Sequence, residues 1–176
     1  MKALLLTFFL PLLMSSLLVF DFSANSDWSV WEIENDTVMG GVSASKLSKS
    51  EAGHAVFTGT VSLENDGGFA SMQYHFAPKN ISGYTKAVIR IKGDGKDYQF
   101  RIKANLKEWA DYIYTFHTTG EWQSIEIPLN KMEPSYHGNK LNIPNFNADQ
   151  IQEVRFMIGN GKSESFRLEV DKIELQ

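Results

Sequence analysis

Two polar stretches hold most of the side chains that could do chemistry. One runs Asn35-Asp36-Thr37-Val38-Met39-Gly40-Gly41-Val42-Ser43, the other Glu64-Asn65-Asp66-Gly67-Gly68-Phe69-Ala70-Ser71. Each sets an Asn–Asp pair shortly before a Gly–Gly pair, then returns to an apolar residue and a serine. Adjacent glycines lose much backbone freedom on folding, so they imply a positive φ angle or a close approach that a Cβ would block. Asn and Asp beside them bond to the local backbone and tolerate the left-handed region. Two uses fit this pattern: two tight turns in a β-rich domain, or one functional edge built from both loops. The edge would comprise Asn35, Asp36, Met39, Gly40, Gly41, Ser43, Asn65, Gly67, Gly68 and Phe69, with Asp94 in a third Gly-flanked loop.

Catalytic patterns are missing. Gly161-Lys162-Ser163 ends like a phosphate-binding loop, but Phe156 stands where its first glycine is required, and the segment leads into a strand pattern. His54, His75, His117 and His137 never fall at metal-ligand spacing, and His75 and His117 fit exposed strand positions. Asp94 and Asp97 read as an Asp-Gly hairpin turn, because calcium needs more oxygen ligands at closer spacing. There is no G-x-S-x-G elbow. Glu32, Glu34 and Asp36 are no more than a chain with 21 acidic residues yields without design. No cofactor, no metal and no catalytic residue is expected, which points to a non-enzymatic module.

Composition narrows the partners. The net charge is −4, and no basic run exceeds two residues, which argues against nucleic acid. With no cysteine, disulfide, zinc-thiolate and thiol-nucleophile chemistry are all excluded. At 176 residues the chain is long enough for one well-buried core and too short for two ordinary domains.

The elements that must position the loops are strands. Residues 1–16, one lysine and then an apolar run containing Pro11, read as a signal peptide or a short membrane anchor, so the protein is expected to be exported, periplasmic or membrane-associated. The domain then covers 17–176, with Leu17–Phe22 as its first strand. His54–Leu63 and Phe69–Phe76 alternate about the Glu64–Gly68 turn as the clearest hairpin. Lys46–Gly53 reads as a turn. Tyr98, Phe100, Ile102 and Ala104 alternate with Gln99, Arg101, Lys103 and Asn105, giving one buried and one wet face. Lys131–Ala148 is the longest irregular stretch, with a helical turn expected at Asn147–Gln150. Ile151–Ile158 and Phe166–Leu175 close the chain around Gly159-Asn160-Gly161. About ten short strands separated by turn signals predict an all-β, single antiparallel sandwich or barrel.

Several of these segments carry a resemblance. Trp31 with Asn35–Ser43, Phe57–Ser71, Gly93-Asp94-Gly95 with Tyr98, Trp122 with Ile127-Pro128-Leu129, and Phe166–Ile173 together resemble the complex I intermediate-associated protein 30 family. Two positions differ from its usual pattern: Asp66 replaces an asparagine, and Tyr136-His137-Gly138 stands where an Arg-Gly is usual. The resemblance implies a galactose-binding-domain-like β-sandwich of jelly-roll type. It also implies a chaperone-like assembly-factor role for respiratory complex I, with protein partners such as membrane-complex subunits. The alternative is a secreted or periplasmic carbohydrate-binding module. That would need exposed aromatics near a rim, and Trp109, Tyr112 and Tyr136 lie in or near irregular segments.

Overall fold

The computed structural model describes residues 16–23 and 25–176. All of the expected signal or anchor segment except Ser16 lies outside the described residues.

Among the described residues thirteen strands form two antiparallel sheets, and there is no α-helix. The strands are β1 (Leu17–Asp21), β2 (Trp31–Asn35), β3 (Ala44–Lys49), β4 (Ala55–Val61), β5 (Ala70–Asn80), β6 (Lys86–Lys92), β7 (Asp97–Lys103), β8 (Asp111–His117), β9 (Trp122–Pro128), β10 (Glu133–Tyr136), β11 (Asn139–Lys140), β12 (Gln150–Ile158) and β13 (Glu164–Leu175). One sheet has the order β3-β4-β13-β6-β9, with β1 also pairing β13; the other is β11-β10-β8-β7-β12-β5-β2. β13 is long enough to hold β4 along Glu164–Val170 and β1 along Lys172–Leu175 on one side, and β6 on the other.

Period-two alternation directs the core. Met72, Phe100, Ile102, Val154 and Phe156 from the seven-stranded sheet face Phe57, Ile89, Ile91, Leu168 and Ile173 from the six-stranded one. Each such side chain, fully buried, contributes about 1.5–3 kcal/mol. At one edge of the core Trp31 packs its ring 4.9 Å from Phe22 and 6.3 Å from Phe156, which ties β2 to the entry of the chain.

Several expectations need correction. β4 and β5 do not form a hairpin, because they belong to different sheets and the Glu64–Gly68 turn is an arch from one sheet to the other. The closing pair β12 and β13 is likewise split around Gly159–Gly161, and β6 and β7 around Asp94. The real hairpin partner of β4 is β3, which takes the first half of the presumed Lys46–Gly53 turn, leaving the turn to 50–53, and pairs Lys46 with Thr58. β3 has partners on one side only, so its lysines and serines remain wet, as a protected edge requires. The stretch 131–148 contains β10 and β11, and Asn147–Asp149 form no helical turn.

Candidate functional site

The two glycine loops are joined by a single carboxylate. Asn35 closes β2, pairing with Ala70, and the chain then makes a 3₁₀ turn over Asp36–Met39. Asp36 is only 1% exposed. Its Oδ1 accepts the Ser43 N–H at 2.9 Å, and its Oδ2 accepts the Gly68 N–H at 2.7 Å and the Phe69 N–H at 3.2 Å. The Ser43 hydroxyl also donates to Oδ2, while Ser43 Oγ accepts the Ser62 N–H at 2.9 Å. The Asp36 N–H in turn donates to the Phe69 carbonyl at 3.2 Å. Burial pushes the Asp36 pKa up. The hydrogen bonds from Ser43, Gly68 and Phe69 outweigh it, and the carboxyl sits below its usual value.

Within each Gly–Gly pair the two residues do different jobs. Gly40 at φ 95° and Gly68 at φ 143° supply backbone that L side chains avoid. Gly41 and Gly67 supply room: a Cβ on Gly41 would lie 2.4 Å from Asp36 Cγ, and one on Gly67 would lie 2.6 Å from Asp36 Oδ2. The motif is a socket for a buried carboxylate, and that carboxylate fastens one loop to the other.

The remaining expected residues sort around this socket. Asn35 accepts the Ser45 hydroxyl through Oδ1 at 2.7 Å, and Asn65 is an exposed left-handed residue at φ 56°. Met39 points outward, and it is not alone: Val38 is 65% exposed, Met39 61%, Val42 47% and Leu63 45%. All four are carried by the same two loops. Asp94 lies outside this cluster and is not a hairpin turn. It accepts from Tyr98 Oη at 2.8 Å, Lys96 Nζ at 2.6 Å and the Arg167 N–H at 3.0 Å, and so pins the β6–β7 arch to β13.

The sequence reading missed a second surface, the outward face of the seven-stranded sheet. Strand register lines its side chains up in rows. One row runs Glu32, Gln73, Arg155, Arg101, Ile113, Glu133 across six strands. Beside it lie Glu34, Ser71, Met157, Gln99 and Thr115 on one flank, and His75, Glu153, Lys103, Asp111, Ser135 and Lys140 on the other. The expected wet face of β7 is half-buried at Gln99, Lys103 and Asn105 and closed at Arg101, which is 6% exposed, beside Glu153 at 2% and Gln73 at 7% on neighbouring strands. Charge pairing explains how these groups stay enclosed. Arg101 donates to Gln99 Oε1 and, at 2.9 Å, to Asp111, while Arg155 donates from Nε to Glu153 at 3.0 Å, and His75 Nε2 lies 3.0 Å from the same carboxylate. Burial pulls the Arg101 guanidinium below its usual pKa; Asp111 opposes that shift and Arg155 adds to it.

A cleft of about 440 Å³ opens at one end of this face, between Gln99, Thr115, Glu133, Ser135 and Lys140. Trp109 and Tyr136 stand exposed near that end, edge to face at 5.2 Å. Tyr112 is not with them. It turns inward against Phe146 at 5.1 Å and belongs to the core, because strand alternation, not nearness to a loop, sets its direction.

With this geometry in place, the fold can be compared with solved structures. A family 11 carbohydrate-binding module of the cellulosomal cellulase Lic26A-Cel5E of Clostridium thermocellum superposes with a TM-score of 0.69 at 19% identity, over 92% of this chain and 94% of that one. The family 11 module from Clostridium thermocellum in complex with a β-1,3-1,4-mixed-linked tetrasaccharide gives 0.68 at 20% identity, over 91% and 94%. The agarase AgWH50C gives 0.60 at 12% identity, covering 92% of this chain and 24% of that one. These likenesses establish a jelly-roll sandwich of the galactose-binding-like kind. No curated protein sequence matches the chain. The family model for complex I intermediate-associated protein 30 matches residues 20–170, spanning both glycine loops, the Asp94 arch and the first part of β13. The chain belongs to the complex I intermediate-associated protein 30 family.

Proposed function

We propose that this chain is a non-catalytic binding module that holds a protein partner on the apolar rim of its joined glycine loops, in the manner of an assembly factor. The observation that carries this is the exposure of Val38, Met39, Val42 and Leu63 above a backbone locked by buried Asp36. Clustered exposed apolar side chains mark interaction surfaces. A locked backbone has already lost the freedom that a mobile loop would lose on binding. Membership of a family named for complex I intermediates supports a membrane-complex subunit, or an intermediate of one, as the partner. The apolar N-terminal run supports export to the periplasm or a membrane surface.

The test is mild crosslinking and co-purification from the native host, comparing wild type with a Val38→Ser, Met39→Ser, Val42→Ser variant. Loss of the co-purifying subunit at unchanged melting temperature is expected. Equal retention by the folded variant would overturn the proposal.

A second reading, carbohydrate binding, is favoured by Trp109 and Tyr136, whose exposed rings could stack on a sugar. It draws support from the likeness in fold to a carbohydrate-binding module solved in complex with a tetrasaccharide. Calorimetric titration with a panel of oligosaccharides decides it, and absence of heat with every member rejects it.

A further inference from the structure

The apolar rim carries one side chain whose chemistry can be changed in place. Val38, Val42 and Leu63 are hydrocarbons, inert to mild oxidants. Met39 stands among them as a thioether and is 61% exposed. Thioethers take up an oxygen atom readily, and cysteine thiols, which would compete for the oxidant, are absent from this chain. The other methionines among the described residues are sheltered. Met72 and Met132 are 0% exposed, and Met157 is half-buried on the outward face of the seven-stranded sheet, between Gln99 and Ser71. Of these four sulfurs, an oxidant in solution reaches that of Met39 first.

The reaction balances with a hydroperoxide as the oxidant. A sulfur lone pair attacks the terminal peroxide oxygen, and an S–O bond forms as the O–O bond breaks. The proton of the transferred oxygen passes to the departing one, which leaves as water or an alcohol. Sulfur is oxidised by two electrons and the peroxide is reduced by two.

Position sets the consequence. The sulfoxide is polar and chiral, and its oxygen is a hydrogen-bond acceptor. On a free rim water satisfies that oxygen. Under an apolar partner it is enclosed without a donor, which weakens the association. The backbone beneath is unaffected. The Gly40 N–H donates to the Thr37 carbonyl at 3.1 Å and the Gly41 N–H to the Asp36 carbonyl at 3.0 Å, while the Asp36 carboxylate holds Ser43 and Gly68. None of these bonds uses the Met39 side chain, so oxidation changes the polarity of the rim and leaves the loops joined.

We infer that Met39 is an oxidation site through which hydroperoxides release the protein partner, and that methionine sulfoxide reductases reverse the release. The inference rests on the apolar-rim reading and adds a modification that controls it.

The test uses the full chain, hydrogen peroxide and a Met39→Leu variant, with partner retention measured by crosslinking and co-purification from the native host. After mild peroxide, peptide mapping should find sulfoxide at Met39 while Met72 and Met132 remain thioethers, and the melting temperature should be unchanged. Retention should fall about tenfold or more and return after treatment with the reductases for both sulfoxide epimers. Met39→Leu keeps the rim apolar without sulfur, and the fraction of partner it holds should be the same before and after peroxide. Oxidation of Met72 or Met132 ahead of Met39, retention unchanged by full oxidation of Met39, or an equal loss in Met39→Leu overturns the inference and leaves the rim reading standing. A loss accompanied by a lowered melting temperature also overturns it, because the fold rather than the rim would then be damaged. If the untreated wild type retains no partner, both readings fall.

Discussion

The Asp36 carboxylate accepts the backbone N–H of Gly68 at 2.7 Å, from a residue 32 positions further along the chain. This contact joins the end of a strand in one sheet to the arch that leaves the other. The carboxylate is buried and its bonds are charge-assisted, so it should weigh heavily in stability. Asp36→Asn keeps the shape but removes the charge and turns one acceptor into a donor. The expected loss is about 2–4 kcal/mol by urea unfolding. The folded pKa lies below the unfolded value, so the wild-type contribution is fully present above about pH 4 and is lost as pH falls through the folded pKa. The variant should therefore show a flatter acid limb, and an acid limb identical to wild type would refute the assignment.

The division of labour within the Gly–Gly pairs can be read by double-mutant cycles. Gly41→Ala places a Cβ against Asp36 and should cost about 1–3 kcal/mol, part of it recovered in an Asp36→Ala background, which removes the carboxylate at 2.4 Å but keeps the Asp36 Cβ at 2.8 Å. Gly40→Ala meets open space and loses only through its left-handed backbone, about 1–2 kcal/mol, and that cost should add independently to Asp36→Ala. Coupling energies measured at equilibrium distinguish the two; equal coupling for both glycines would show that the socket does not depend on crowding.

Tyr98 offers an alkaline counterpart. Burial, followed by the hydrogen bond to and negative charge of Asp94, raises its pKa far above the ordinary phenol value. The unfolded chain releases this proton near pH 10 while the folded chain keeps it, so stability should fall as pH rises above that point. Tyr98→Phe should cost about 1 kcal/mol at neutral pH and show a gentler alkaline decline. In wild type, phenolate absorbance should report Tyr98 only once the chain unfolds.

Strand content and the inward faces are legible in the sequence because alternation records burial directly, as in Tyr98, Phe100 and Ile102. The connections are not. Glu64–Gly68 has the composition of a hairpin turn, yet it bridges two sheets, since the bonds that decide its path come from Asp36 and no local pattern encodes them. The glycine loops stand out as one unit, but their shared carboxylate has the sequence setting of an ordinary turn residue. The outward polar face is hidden for a related reason. Arg101 and Gln99 look like solvent-facing residues in one strand, and only the neighbouring Asp111, Arg155 and Gln73, from three other strands, reveal an enclosed array.

β13 also sets how far the apolar rim stands from the entry of the chain. Glu164 pairs with Val61, and Ser163 Oγ accepts the Leu63 N–H at 3.2 Å, so that end of the strand stands beside the apolar rim. Leu175 pairs with Leu17, where the chain enters the domain from its N-terminal segment. Twelve residues of strand separate the two ends, about 40 Å at roughly 3.3 Å per residue. The apolar rim and the entry of the chain therefore lie at opposite ends of β13.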